Sequence, residues 1–142
     1  NFIDAAFVQV ASKLSLEDDT IYAPCWGSET FDYTFFSDLV ISKENIHEYI
    51  DTPLFKTLLN TGNYIVPRCN YLKVAEQKDN DFNPLACDVI YFNYLWLKNG
   101  FKIKVVDGLK YTHTVHENSY FLKNAQQSFA ANDIIINKIK SL

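Results

Sequence analysis

The chain of 142 residues has no methionine, only four glycines, four prolines and three cysteines. So little Gly and Pro beside 15% aromatic residues excludes a disordered or collagen-like chain. No apolar run approaches the ~18 residues of a membrane-spanning helix, and the N-terminus has no charged stretch followed by an apolar one. Cys25, Cys69 and Cys87 are odd in number, far apart and without a CxxC pair. That spacing suggests neither a zinc site nor a disulfide framework and points to reduced, mostly buried thiols in a soluble cytoplasmic protein. Thirteen Lys and Arg stand against 17 Asp and Glu, a formal charge of −4. A basic stripe for phosphate backbones is lacking, so nucleic acid is not an expected partner. The chain opens Asn1-Phe2-Ile3, and a piece of a longer protein is expected.

What is present is a 48% apolar chain, enough for one domain burying roughly 68–70% of its unfolded surface. Ile3, Phe7, Val10 and Leu14 mark one face of an amphipathic helix, and Thr20–Cys25 reads as a short strand. An aromatic loop follows over 26–33. Ser42 can cap a helix reaching Ile50, and Thr52-Pro53 opens another that ends at Gly62. Tyr64–Pro67 reads as a strand, followed by a helix holding Tyr71, Leu72 and Val74. Asn83-Pro84 opens a helix that runs to Lys98-Asn99, is apolar nearly all round, and closes on Gly100 as a left-handed cap. Phe101, Ile103 and Val105 alternate with Lys102 and Lys104 as a half-buried strand, and Asp107-Gly108 reads as a turn. Leu109, Tyr111, His113 and Val115 continue an alternating strand, and a helix or helix pair runs from Tyr120. The expected class is a single mixed α/β domain over residues 1–142.

Four features could carry chemistry. Asp88 falls in the first turns of the long apolar helix, where the macrodipole favours a carboxylate by about 0.3–1 kcal/mol. Beside a cleft it would serve as a general base; the plainer reading is an acid that complements the dipole. His113 and His116 are three apart where a strand runs into a loop, so in a regular strand they face opposite ways and cannot share one metal ion. His113 shares the apolar face of Tyr111 and Val115, as a core histidine would, whereas His116 lies beside Glu117-Asn118-Ser119. Asp79-Asn80-Asp81 spells DxD, but Glu76-Gln77-Lys78 precede it instead of a buried strand, and Asp18-Asp19 precedes a strand instead of following one. Neither reads as a metal site. Trp26, Tyr33, Phe35 and Phe36 could offer ring faces to a sugar, with Glu29 and Asp32 bonding its hydroxyls; the alternative is that these rings close the core under a loop.

Asn63-Tyr64-Ile65-Val66-Pro67-Arg68, Cys87-Asp88 opening a helix, Trp96–Val106, and Tyr111–Ser119 with its two histidines recur in one order. In that order they resemble the C-terminal half of family-2-type glycosyltransferases, enzymes with the A-type nucleotide-sugar transferase fold. The likeness spans roughly residues 1–122. It implies the acceptor side of a transferase that moves a sugar from a nucleotide-sugar donor to a glycan or other hydroxyl acceptor. Asp88 takes the position of the catalytic base, and His113 or His116 that of a late histidine that binds metal in some members. Trp26, Glu29, Asp32 and Tyr33 would then meet the acceptor. The donor and a divalent metal, Mn or Mg, belong to an N-terminal half that precedes the segment resembling Asn1–Asp4. This chain alone is therefore expected to bind neither tightly, and to be silent in transfer. An apolar face left by the missing half would favour a homodimer. Two departures stand out: Cys87-Asp88 replaces an acidic pair, and Val74-Ala75-Glu76-Gln77 replaces a Gly-Gly-Phe-Asp-like turn. A self-standing, non-catalytic α/β binding or interaction domain is the rival expectation, since fold does not fix function.

Overall fold

In a computed structural model of the chain, residues 2–77, 82–114 and 119–142 are described. They form the expected single mixed α/β domain. Its sheet has three strands, β1 (Thr20–Trp26), β2 (Val40–Ile41) and β3 (Lys102–Lys110), in the order β1-β3-β2. β1 runs parallel to β3 in a register from Thr20 opposite Lys102 to Pro24 opposite Val106, and β2 pairs antiparallel with β3. A parallel strand covered on both faces reads as a continuous apolar run, and β1 is buried from Thr20 to Cys25. Pro24 lacks an N–H and is accommodated because β1 lies at the edge of the sheet order.

In β3 the alternation read from the sequence holds, with Ile103 and Val105 buried between half-buried Lys102 and Lys104. The turn expected at Asp107-Gly108 does not form. The strand continues through it as a bulge, in which Asp107, Gly108 and Leu109 together stand opposite Cys25. Gly108 has φ +72°, the left-handed conformation that such a bulge can require and that glycine adopts without strain.

The helices are α1 (Ala5–Ala11), α2 (Phe55–Leu59), α3 (Arg68–Ala75), α4 (Asp88–Lys98), α5 (Tyr120–Lys123) and α6 (Ala125–Lys140). Asp4 caps α1 by accepting the Phe7 N–H at 3.0 Å, and Phe7 enters a small core with Tyr22, Val106, Leu109 and Tyr111. α4 is the spine of the main core, buried at Ile90, Tyr91 and from Asn93 to Leu97, and it packs on α2, α3 and α6. Each large apolar side chain fully buried there contributes about 1.5–3 kcal/mol. Trp96 is fully buried, and its indole N–H donates to the Lys102 carbonyl at 2.9 Å, tying the helix to β3. α4 ends as expected: Gly100 has φ +81°, its N–H meets the Leu97 carbonyl, and the Phe101 N–H meets that of Trp96. These two bonds make a Schellman cap.

Two short elements differ from expectation. Ser42–Ile50 holds only a tight turn at Ile46–Glu48. There Asn45 accepts the Ser42 N–H and donates to the Val40 carbonyl, while the Ser42 hydroxyl accepts the Glu44 N–H. Such short polar side chains compete with helical bonding for the backbone. The strand expected over Tyr64–Pro67 is reduced to one antiparallel bridge between Ile65 and Tyr22, with bonds of 2.9 and 3.0 Å. Among the described residues no helix is long and apolar enough to cross a membrane.

Candidate functional site

Asp88 is placed by contacts on both sides of it. Upstream, Asn83 accepts the Leu85 N–H at 3.0 Å, and the Cys87 N–H meets the Pro84 carbonyl in the turn Leu85–Cys87. Cys87 is buried, and its thiol donates to the Ser128 carbonyl of α6 at 3.2 Å. Downstream, the Ile90 N–H donates to Asn60 Oδ1 at 3.2 Å, so the residue that ends α2 satisfies one of the free donors at the start of α4. Gly62 then passes so close to α4 that a Cβ there would lie 3.2 Å from Val89 Cγ2.

The Asp88 side chain is exposed and opens on a cleft of about 490 Å³. The cleft is lined by five aromatic rings, Tyr64, Tyr71, Phe82, Tyr91 and Phe92, with Ala75, Pro84, Val89 and Leu95 between them. Tyr64 stacks on Phe92 with centroids 6.4 Å apart and planes at 13°, and Tyr71 lies 5.0 Å from the same ring. Phe82 and Tyr91 form a second pair at 5.2 Å. Burial, with the nearby Tyr71 and the charge of Asp88, pushes the Tyr64 phenol up to about 12, so it stays a hydrogen-bond donor at neutral pH. The arrangement offers ring faces for stacking, phenols for hydrogen bonding, and one carboxylate able to accept a proton.

The aromatic loop is a different place. None of Trp26, Asp32, Tyr33 and His113 lines the Asp88 cleft. Tyr33 is fully buried and its hydroxyl is hydrogen-bonded to Thr61 Oγ1 at 3.1 Å. Burial pushes its phenol far up. This corrects the expectation that Tyr33 presents a face to a sugar: it closes the core, as does Phe36, whereas Phe35 is 86% exposed. Trp26 is half-buried. Asp32 is exposed, but its Oδ1 already accepts from the Thr34 N–H at 3.0 Å and hydroxyl at 2.6 Å, bonds that hold its carboxyl below the usual range. The side chain of Glu29 lies outside the described residues, as do His116 and the whole of Asp79-Asn80-Asp81.

His113 joins the loop, not the cleft. Its N–H donates to the Gly27 carbonyl at 2.6 Å, and its ring meets Phe31 edge-on at 4.5 Å and Tyr111 at 6.1 Å. Nδ1 is buried without a hydrogen-bond partner among the described residues, and burial holds the imidazole below its ordinary pKa. Among the described residues no group of three or more His, Cys, Asp and Glu could hold a metal ion. Cys25 and Cys87 are buried, with thiols pushed up chiefly by burial, and Cys69 is exposed; all three are free.

The cleft partners of Asp88 were in part visible in the sequence. Tyr91, Phe92 and Leu95 follow it by three, four and seven residues, the spacing of one helix face. Tyr64, Tyr71 and Phe82 come from other segments, and no local spacing announces them. No family model, curated protein or solved structure matches the chain. The likeness to family-2-type glycosyltransferases rests on the ordered motifs alone.

Proposed function

We propose that this chain forms the acceptor side of a glycosyltransferase, with Asp88 as the base and the aromatic cleft as the seat of a saccharide acceptor. One observation carries the reading: an exposed carboxylate in the first turn of α4 opens on a cleft of five aromatic rings, two of which, Tyr91 and Phe92, share its helix face. Sugar rings stack on such faces, and phenols bond their hydroxyls. In the transfer step the acceptor oxygen forms a bond to the anomeric carbon and its proton passes to an Asp88 oxygen. The bond to the nucleoside diphosphate breaks, and its electron pair leaves with the diphosphate. The positive end of the α4 dipole lies beside that carboxylate. Residues outside this chain would supply the nucleotide sugar and its Mn or Mg ion, and no step here runs through His113. Trp26 and Asp32, set apart from the cleft, have no part in this reading.

The test is calorimetric titration of the chain with a panel of methyl glycosides and short oligosaccharides. Binding by at least one of them, weakened about tenfold or more by Tyr71→Ala with an unchanged melting curve, is the expected result. In a protein that carries this segment and shows transfer, Asp88→Asn should lower kcat by about 10²–10⁴-fold at constant Tm. Failure of the whole panel to bind sinks the acceptor reading. Saccharide binding with transfer untouched by Asp88→Asn would replace it with a non-catalytic carbohydrate-binding domain.

A further inference from the structure

Charge distinguishes this cleft from a generic sugar site. Among the described residues its lining holds five aromatic rings and one carboxylate and no Lys, Arg or His, with Lys138 reaching only the Phe82 ring. Every ring face carries the negative side of its quadrupole, and Asp88 adds a full negative charge, larger than the roughly half positive charge of the helix end behind it. A phosphorylated or uronic ligand is repelled there. A neutral sugar gains stacking alone, whereas an ammonium group gains from the rings and the carboxylate together. The protein itself already uses rings of this surface in that way. Lys138 Nζ sits 5.9 Å from the centroid of Phe82, and Lys98 Nζ lies 5.8 Å from that of the adjacent Tyr94. Both fall within the ~6 Å range over which a cation is held by an aromatic face.

We infer that the ligand of this cleft carries an alkylammonium group, seated against the Tyr71 and Phe92 rings with Asp88 as its counter-ion. The inference rests on the acceptor reading for the rest of the ligand: the acceptor is an unacetylated amino sugar, its ammonium on the carbon beside the reacting hydroxyl. The two demands on Asp88 are compatible, because a carboxylate has two oxygens. One accepts from the ammonium and the other faces the hydroxyl.

Calorimetry on the intact chain at about pH 6 would compare methyl glucosaminide, methyl N-acetylglucosaminide, methyl glucoside and choline. The amino sugar should bind roughly tenfold more tightly than its N-acetyl and hydroxyl counterparts, and Asp88→Asn should bring that ratio close to one. Choline should bind measurably and lose affinity on Tyr71→Ala. Both positions are exposed, so the variants should fold, which far-ultraviolet circular dichroism checks. Equal binding of all three sugars, or a ratio unchanged in Asp88→Asn, overturns the ammonium inference and leaves the acceptor reading standing. Choline binding that depends on Asp88, with no sugar bound, upholds the ammonium site and removes the saccharide. Silence of every probe overturns both.

Discussion

Gly27 offers a perturbation whose cost can be worked from distances. A Cβ built on it would lie 2.7 Å from Tyr111 Cζ and Oη and 2.8 Å from Cε1, closer than real Cβ contacts come. Neither partner can retreat easily. The Gly27 N–H donates to the Phe31 carbonyl at 2.9 Å while its own carbonyl accepts from His113 at 2.6 Å. Tyr111 is 5% exposed and hemmed in by Phe7, Tyr22, Val106 and Leu109. Gly27→Ala therefore overpacks a closed site, at about 1–3 kcal/mol. In a domain of this size that lowers Tm by about 3–10 °C, read by calorimetry or circular dichroism. A double-mutant cycle isolates the clash: in a Tyr111→Leu background the ring edge is gone, and the cost of Gly27→Ala should fall below about 1 kcal/mol. An unchanged Tm for Gly27→Ala, or an equal cost in both backgrounds, would show that Tyr111 does not pack on Gly27. The close placement of loop, β1 and β3 would then be wrong.

Two further outcomes test the supports around the cleft and the histidine. Asn60→Ala removes the acceptor of the Ile90 N–H and should destabilise the chain by about 0.5–2 kcal/mol in urea titration, whereas Asn60→Asp keeps the acceptor and most of the stability; equal losses in both would deny the cap. For His113 the sign follows from burial, which lowers the folded pKa beneath the ordinary 6.5. The unfolded chain then binds more protons below pH 6.5, so this contribution to stability is complete above that value and is lost as pH falls through the lower, folded pKa. His113→Phe should flatten the stability profile below about pH 6.5, and an unaltered slope would mean that the imidazole titrates normally.

Legibility followed how local each signal was. The body of α4 and its Gly100 cap could be read because eleven residues of dense apolar pattern and one glycine decide them without help from elsewhere, but its start is Asp88 and not Asn83-Pro84, which lead into the turn Leu85–Cys87 instead. β1 and the first half of β3 were legible for the same reason. Asp107-Gly108 was not, because the left-handed glycine that reverses a chain in a hairpin also serves a bulge in a continuing strand. Only the partner strand decides, and here β1 lies alongside. Ring composition said still less about orientation: Phe35 and Phe36 are neighbours, yet one is 86% and the other 4% exposed. At the candidate site Asp88 was found from its place in the helix. The walls contributed by Tyr64, Tyr71 and Phe82 needed the tertiary structure.

The short connector from Asn60 to Ile65 explains how one exposed carboxylate is given a defined surrounding. Asn60 closes a backbone bond at the start of α4, Thr61 bonds Tyr33 beneath the aromatic loop, and Gly62 packs on Val89 beside Asp88. Tyr64 turns its ring onto Phe92 in the cleft, and Ile65 locks onto Tyr22 of β1 through two backbone bonds. Six consecutive residues thus anchor the start of α4 to the sheet and to the core under the loop. A carboxylate on a free helix end would sample many positions; one tied at Ile90, Cys87 and Val89 keeps its place relative to the rings. Asp32 shows the contrast, since Thr34 occupies its Oδ1 twice over and leaves that atom little to offer a ligand. The connector and the exposed position of Asp88 together favour α4 over the described part of the aromatic loop as the seat of the ligand proposed above.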